Sequence, residues 1–318
     1  MAAASQASRG QSDTLVLGID GGATSTVALL ADATTGQILG RGHGGPSNIQ
    51  AVGEEAALRE LDVAVGGAFE AAGIAYAPVA AAALGLAGID LDGCDVIRAW
   101  AERVELAGKL SIANDATLLF AAGTPQGWGL AVIAGTGSIA FTRDPTGQEG
   151  RTGGWGYLLG DEGSAFRLGE LGLRAACRAA DRIDPPTRLL PAFLAQLGSA
   201  DPRDFIPAVY RGKWDKAAIA GLAPLVLELA AAGDGTARRI VEEQTRELAR
   251  TAAGAVINAA LPRENVPVAL AGGLLLQSVT YRNRFLEQLT SCGIVPGPVG
   301  LVEDPALGAV ILARKLIE

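Results

Sequence analysis

The sequence predicts an α/β protein of two domains, each a mixed β-sheet flanked by helices. An internal repeat points to this first. Leu15-Val16-Leu17-Gly18-Ile19-Asp20-Gly21-Gly22-Ala23-Thr24-Ser25-Thr26-Val27-Ala28-Leu29-Leu30 is followed by Asp32 and Thr35-Gly36-Gln37. Gly129-Leu130-Ala131-Val132-Ile133-Ala134-Gly135-Thr136-Gly137-Ser138-Ile139-Ala140-Phe141 is followed by Asp144 and Thr146-Gly147-Gln148. Each copy is an apolar strand, a tight turn of small and hydroxyl residues, a return strand and a second turn at Thr-Gly-Gln. Beyond each copy, helix-period and strand-length segments alternate, the order of a mixed sheet covered by helices. Glycine is the third sign: 43 of 318 residues, about twice the ~7% average share, as expected where backbone approaches a ligand closely. Two such hairpins facing each other would offer N–H groups and hydroxyls to one phosphate chain. Two unrelated hairpins are the plainer alternative.

The elements follow in order. After the first hairpin come a short strand at 37–41 and the loop Gly42-His43-Gly44-Gly45-Pro46-Ser47-Asn48. Residues 54–72 have helical spacing, with Ala57, Leu61, Val65 and Phe69 four apart. A strand is expected at 80–86, a helix from about 92 to 106, and a strand at 109–113 that ends at Asn114-Asp115-Ala116. The second half repeats this order around a large helical insert. Its third strand lies near Gly150-Arg151-Thr152 and runs into Gly153-Gly154-Trp155-Gly156 and Gly160-Asp161-Glu162-Gly163-Ser164. Helices are expected at 165–180, 187–197, 218–232 and 236–261, with Pro185, Pro186, Pro202 and Pro262 marking breaks. A buried strand at 266–270 enters Ala271-Gly272-Gly273, a helix covers about 279–289, a last strand 293–295 and a last helix about 305–317. The expected domains are 14–121 and 122–318, preceded by an Ala/Ser/Gln-rich leader at 1–13 without the apolar core of a signal peptide.

Composition narrows the function. Hydrophobic residues at 49% and charged residues at 19% describe a globular protein with ample core. A net charge of −8 and a pI near 4.9 argue against a nucleic-acid or anionic-membrane surface. An anionic ligand must then be held locally, by N–H groups and a metal. No run reaches the ~18 apolar residues of a membrane span. Cys94, Cys177 and Cys292 are too far apart for a redox pair or zinc cluster and read as buried small hydrophobes in a reducing, cytoplasmic compartment. His43 is the only histidine, so a general base is expected to be a carboxylate.

Gly18-Ile19-Asp20-Gly21-Gly22-Ala23-Thr24, Gly135-Thr136-Gly137-Ser138, Asn114-Asp115-Ala116, the two glycine segments around Trp155 and Asp161, and Ala271-Gly272-Gly273 together resemble the sugar kinase and actin superfamily. Within it they are similar to the group of N-acetylglucosamine kinases and BadF/BadG-type ATPases, from Leu15 to the C-terminus. Asp215-Lys216 with Ala220-Gly221 resembles a further nucleotide-side stretch. The resemblance implies two ribonuclease H-like, actin-like ATPase domains with a cleft between them, ATP and Mg²⁺ as cofactors, an amino-sugar substrate and a homodimer. It implies nucleotide contacts at Gly21, Gly22, Thr24, Gly135, Thr136, Gly221, Gly272 and Gly273. It implies sugar contacts at Asn48, Asp115, Ser138, Gly154, Trp155, Gly156 and Asp161. Two positions depart from the pattern: Ala23 stands where the family usually has glycine, and Ile139 where the animal-type kinases carry a sugar-contacting asparagine.

Each functional role has a plainer counterpart. Asp20, ending an apolar strand where an uncompensated carboxylate is costly, either caps its own turn or holds Mg²⁺ through water. Asp115 either N-caps the next helix or takes the proton of the sugar 6-hydroxyl. Asp161 is the competing carboxylate, expected to fix sugar hydroxyls. Trp155 forms the apolar wall of a sugar pocket or tucks under a loop; His43 and Ser47 are expected to be solvated. The function implied is an ATP-dependent kinase acting on N-acetylglucosamine ahead of glucosamine. The alternative is a BadF-type regulatory or activating ATPase without a sugar. An iron–sulfur version of the latter is disfavoured, because no cysteine falls in or beside the second-domain glycine segments except Cys177, about a helix length on.

Overall fold

The computed structural model describes residues 14–89 and 91–318; the expected leader at 1–13 lies outside them. The chain forms two compact units, one running to Trp128 and taking in Asp304–Glu318, the other Gly129–Glu303. In the first unit the elements are β1(Leu15–Gly21), β2(Thr26–Asp32), β3(Ile38–Gly44), α1(Ile49–Val52), α2(Glu54–Ala72), β4(Val79–Leu86), α3(Leu91–Arg103), β5(Ala107–Asn114) and α4(Ala116–Gly123). Its sheet has the order β3-β2-β1-β4-β5, antiparallel among the first three and parallel from β1 through β4 to β5.

The second unit carries β6(Gly129–Ala134), β7(Ser138–Arg143), β8(Glu149–Gly153), α5(Ala165–Ala180), α6(Leu189–Leu197), α7(Phe205–Tyr210), α8(Lys216–Ala220), α9(Ala223–Ala231), α10(Gly235–Asn258), β9(Glu264–Ala271), α11(Gly273–Gln277), α12(Val279–Ser291) and β10(Val295–Leu301). Its sheet order is β10-β9-β6-β7-β8. Read from the other edge, order and strand directions are those of the first unit. The repeat is therefore a duplicated topology, and in both second turns an aspartate Oδ1 accepts from two backbone N–H groups and a threonine hydroxyl, though at different offsets along the chain. Thr34 and Thr35 N–H and the Thr35 hydroxyl donate to Asp32 Oδ1; Thr146 and Gln148 N–H and the Thr146 hydroxyl donate to Asp144 Oδ1. These bonds hold both carboxyls below the ordinary aspartate range.

β1 is buried on both sides. Leu17 and Ile19 face a core built with Leu61, Phe69, Leu84 and Trp100, while Val16 faces Leu29, Ala81, Ala83 and Val310. Val310 belongs to α13(Ala306–Lys315), so the final helix completes the first unit, where sequence order put it in the second domain. The division after Trp128 likewise falls later than the expected residue 121. Part of the glycine excess also has a different cause from ligand approach. Gly40, Gly42 and Gly44 share one face of β3, and a Cβ there would lie 2.0, 1.9 and 2.3 Å from the α2 carbonyl oxygens of Ala68, Ala64 and Glu60. The stripe lets helix backbone lie directly on strand backbone, and it extends β3 through His43 into the expected loop.

Three further expectations change. The helix at 218–232 is two, because Gly221 caps α8 and Pro224 occupies the first turn of α9. The last strand is Val295–Leu301, sharing only residue 295 with the expected 293–295; Pro296 and Pro298 disguised β10, but an edge strand tolerates proline. All three cysteines are free and only half-buried, not core residues. Among the described residues no single helix is long and apolar enough to cross a membrane.

Candidate active site

In the first unit the β1–β2 turn is built against Ser47. A Cβ on Gly21 would meet Ser47 Oγ and Leu86 Cδ2 at 2.4 Å. The Gly22 carbonyl accepts from Ser47 N at 3.1 Å, and Thr26 Oγ1 donates to Ser47 Oγ at 2.8 Å. Ser47 is thus a buried strut of the turn, contrary to its expected solvation, whereas His43 and Thr24 are exposed. Asn48 caps α1 by accepting from Ala51 N, and its amide lies over Gly88, whose left-handed φ of +67° and absent Cβ leave the room.

Asp115 directly follows β5 and does cap α4, accepting from Ala116 N at 2.9 Å. Asp20, at the end of β1, has its pKa raised from 3.8 to about 6 by burial first, then by the charges of Asp115 and Asp304. Asp304 carries no motif; it pairs with Arg41 and accepts from Ala306 N at the start of α13. Mutually repelling carboxylates of this kind fit a divalent cation. Among the described residues no three acidic, His or Cys side chains form a direct ligand set.

In the second unit, Gly135, Thr136, Gly221 and Gly273 line one cavity of about 610 Å³, with Ala217, Ala220, Pro224, Leu227 and Leu274 as its apolar walls. The sequence places these glycines far apart, and the fold gathers them. Gly272 stands beside the cavity at φ +86°, where a Cβ would lie 2.5 Å from the Ala134 carbonyl oxygen. Such a cavity suits a flat, apolar-faced ring system.

The segment 160–164 is fastened on several sides. Ser138 Oγ donates to the Glu162 carbonyl at 2.7 Å, Gly163 N donates to Gln244 Oε1 on α10, and the Tyr281 hydroxyl on α12 donates to the Gly163 carbonyl at 2.8 Å. Burial pushes the Tyr281 phenol well above its ordinary value. Within this frame Asp161 is buried, in left-handed backbone at φ +61°, and accepts from Ser138 N at 3.4 Å and Lys216 Nζ at 3.4 Å. Sequence reasoning missed Asp304, Gln244 and Tyr281, none of which has a local signature. Gly154 and Gly156 have positive φ, and a Cβ on Gly154 would meet Ile139 Cδ1 at 2.5 Å, so Ile139 reaches the predicted sugar segment. Trp155 is 68% exposed, with the Arg151 guanidinium 5.8 Å from its ring centre. It is not tucked under a loop.

The chain is similar to known proteins along most of its length. It is 30% identical over 301 residues to an N-acetylmuramic acid/N-acetylglucosamine kinase of Clostridium acetobutylicum, covering 94% of this chain and 98% of that one. It is 30% identical over 329 residues to an N-acetyl-D-glucosamine kinase of Dictyostelium discoideum, with 94% and 97% covered. Among solved structures, a candidate N-acetylglucosamine kinase from Chromobacterium violaceum superposes with a TM-score of 0.65 at 30% identity, over 95% of this chain and 99% of that one. Residues 17–313 match the BadF/BadG/BcrA/BcrD ATPase family. By that match and by the duplicated sheets that carry its glycine turns, this chain belongs to the BadF/BadG/BcrA/BcrD ATPase family.

Proposed function

We propose that the protein is a cytoplasmic ATP-dependent kinase, working as a homodimer, that phosphorylates the 6-hydroxyl of an amino sugar, N-acetylglucosamine ahead of glucosamine. The observation that carries this reading is the second-unit cavity, where residues predicted as nucleotide contacts from three separate motifs converge. Relatives that are kinases of N-acetylated amino sugars along nearly their whole length support the acceptor. Asp115 receives the proton of the sugar hydroxyl as its oxygen bonds to the γ-phosphorus. The bond from that phosphorus to the bridging oxygen breaks, and ADP leaves. The turns of Gly21, Gly22, Thr24, Gly135 and Thr136 hold the phosphates, the glycines leaving room for close approach and Thr24 and Thr136 offering hydroxyls. Asp20 would hold Mg²⁺ through water, and the ion supplies neutralisation of the phosphate charge. Gly221, Gly272 and Gly273 leave room for the nucleoside. Asn48, Ser138, Gly154, Trp155, Gly156 and Asp161 orient the sugar.

The test is coupled ADP release with N-acetylglucosamine, glucosamine, N-acetylmannosamine, N-acetylmuramic acid, glucose and no sugar. Turnover that depends on an amino sugar is expected. ADP release at the same rate with and without every sugar would make the protein a regulatory ATPase instead.

A further inference from the structure

Lys216 stands where three parts of the second unit meet. It opens α8, whose following residues Ala217 and Ala220, with the cap Gly221, line the cavity shared with Gly135 and Thr136. Its ammonium lies 3.4 Å from Asp161 Oδ2 and 5.2 Å from the Tyr157 ring centre. Asp161 Oδ2 in turn lies 2.9 Å from where a Cβ of Gly137 would be, and Asp161 accepts from Ser138 N, the residues directly after Thr136. The lining of the cavity contains no charged side chain, although a polyphosphate bound at its glycine end brings several negative charges. The 3.4 Å separation is longer than the ~2.7–2.9 Å of a tight charge-assisted bond. The lysine side chain is 38% exposed while its partner is 5% exposed. The ammonium is therefore close to Asp161 in a loose, partly exposed pairing.

We propose that Lys216 is the cation the second unit offers to the transferring phosphate, parked on Asp161 and Tyr157 until sugar and nucleotide bind. This rests on the kinase reading above. A sugar hydroxyl that donates to Asp161 takes the carboxylate from the lysine and leaves the ammonium for the phosphoryl oxygens. Sugar and ATP then tighten each other's binding, because coupling between two sites is reciprocal.

The experiment compares the full-length wild type with Lys216→Met and Lys216→Arg, first by calorimetric titration of ATP with Mg²⁺, with and without N-acetylglucosamine, then by steady-state kinetics. Removing one charge-assisted contact should lower kcat/KM for ATP by about 10- to 100-fold and move KM for the sugar by less than about threefold. Lys216→Arg should recover most of the loss, and sugar should no longer tighten ATP binding to Lys216→Met. A rise in sugar KM with ATP parameters unchanged would make Lys216 only a positioning partner of Asp161 and overturn the proposal, as would no change at all. If the wild type phosphorylates no sugar, the kinase reading falls. Calorimetry with N-acetylglucosamine present still decides the lysine's role, since ATP affinity equal in wild type and Lys216→Met under that condition overturns it.

Discussion

Replacing Asp20 with asparagine should stabilise the ligand-free protein near neutral pH while abolishing nucleotide turnover. Burial, and then the neighbouring charges of Asp115 and Asp304, lift the Asp20 pKa from 3.8 to about 6. Below pH 3.8 the carboxyl is protonated in both folded and unfolded chains, and the folded state bears no charge cost there. As pH climbs through 6 the folded protein must hold an anion that the unfolded chain would solvate freely. A shift of about two units at ~1.4 kcal/mol each corresponds to about 3 kcal/mol of lost stability, complete above pH 6. Asparagine has nearly the same shape and never ionises, so it escapes this cost, less whatever its buried amide forfeits in hydrogen bonds. A gain of about 1–3 kcal/mol at pH 7.5, shrinking towards zero at pH 4, is the expectation. Urea unfolding of both proteins in EDTA at pH 4, 5, 6 and 7.5 measures it, with fluorescence of Trp100, buried in the first unit's core, as one probe. Equal stability at pH 7.5, or a gain that does not vary with pH, would refute the electrostatic account. A loss of Mg²⁺·ATP stabilisation in the same variant ties the strain to function, since functional sites retain charges that folding alone would remove.

The other predictions concern the site directly. Asp115→Asn should cost ~10²-fold or more in kcat with ATP binding near wild type; retention of more than about a tenth of kcat would remove Asp115 as the base. At Gly135 a Cβ would come no nearer than 3.7 Å to another atom, so Gly135→Ala should fold normally. With Thr136→Val it should raise KM for ATP far more than KM for sugar, and equal effects would move the phosphate site elsewhere. Ile139 lies against Gly154 in the predicted sugar segment. The wild type should therefore use glucosamine or another amino sugar measurably beside N-acetylglucosamine, and Ile139→Asn should gain selectivity, a difference of about 1–3 kcal/mol. Wild-type rejection of every other sugar by ~10⁴ or more would show that Ile139 does not govern the choice.

What the sequence determined by itself is what short-range chemistry encodes. Helix spacing at Ala57, Leu61, Val65 and Phe69 set the bounds of α2. The paired Asp and Thr-Gly-Gln signatures specified two turns that the structure builds around the same aspartate acceptor, because an aspartate bonding the next backbone N–H groups needs no distant partner. The glycine turns after β1 and β6 were legible for the same reason. Only the tertiary structure decided which distant pieces meet. No local pattern shows that α13 belongs to the first sheet, that Asp304 raises Asp20, or that Lys216 lies on Asp161. Nor does sequence distinguish a glycine serving a ligand from Gly40, Gly42 and Gly44, whose missing side chains admit a helix. Periodicity and turn chemistry are properties of neighbouring residues, whereas charge coupling and close packing depend on distances that exist only once the sheets and helices have come together.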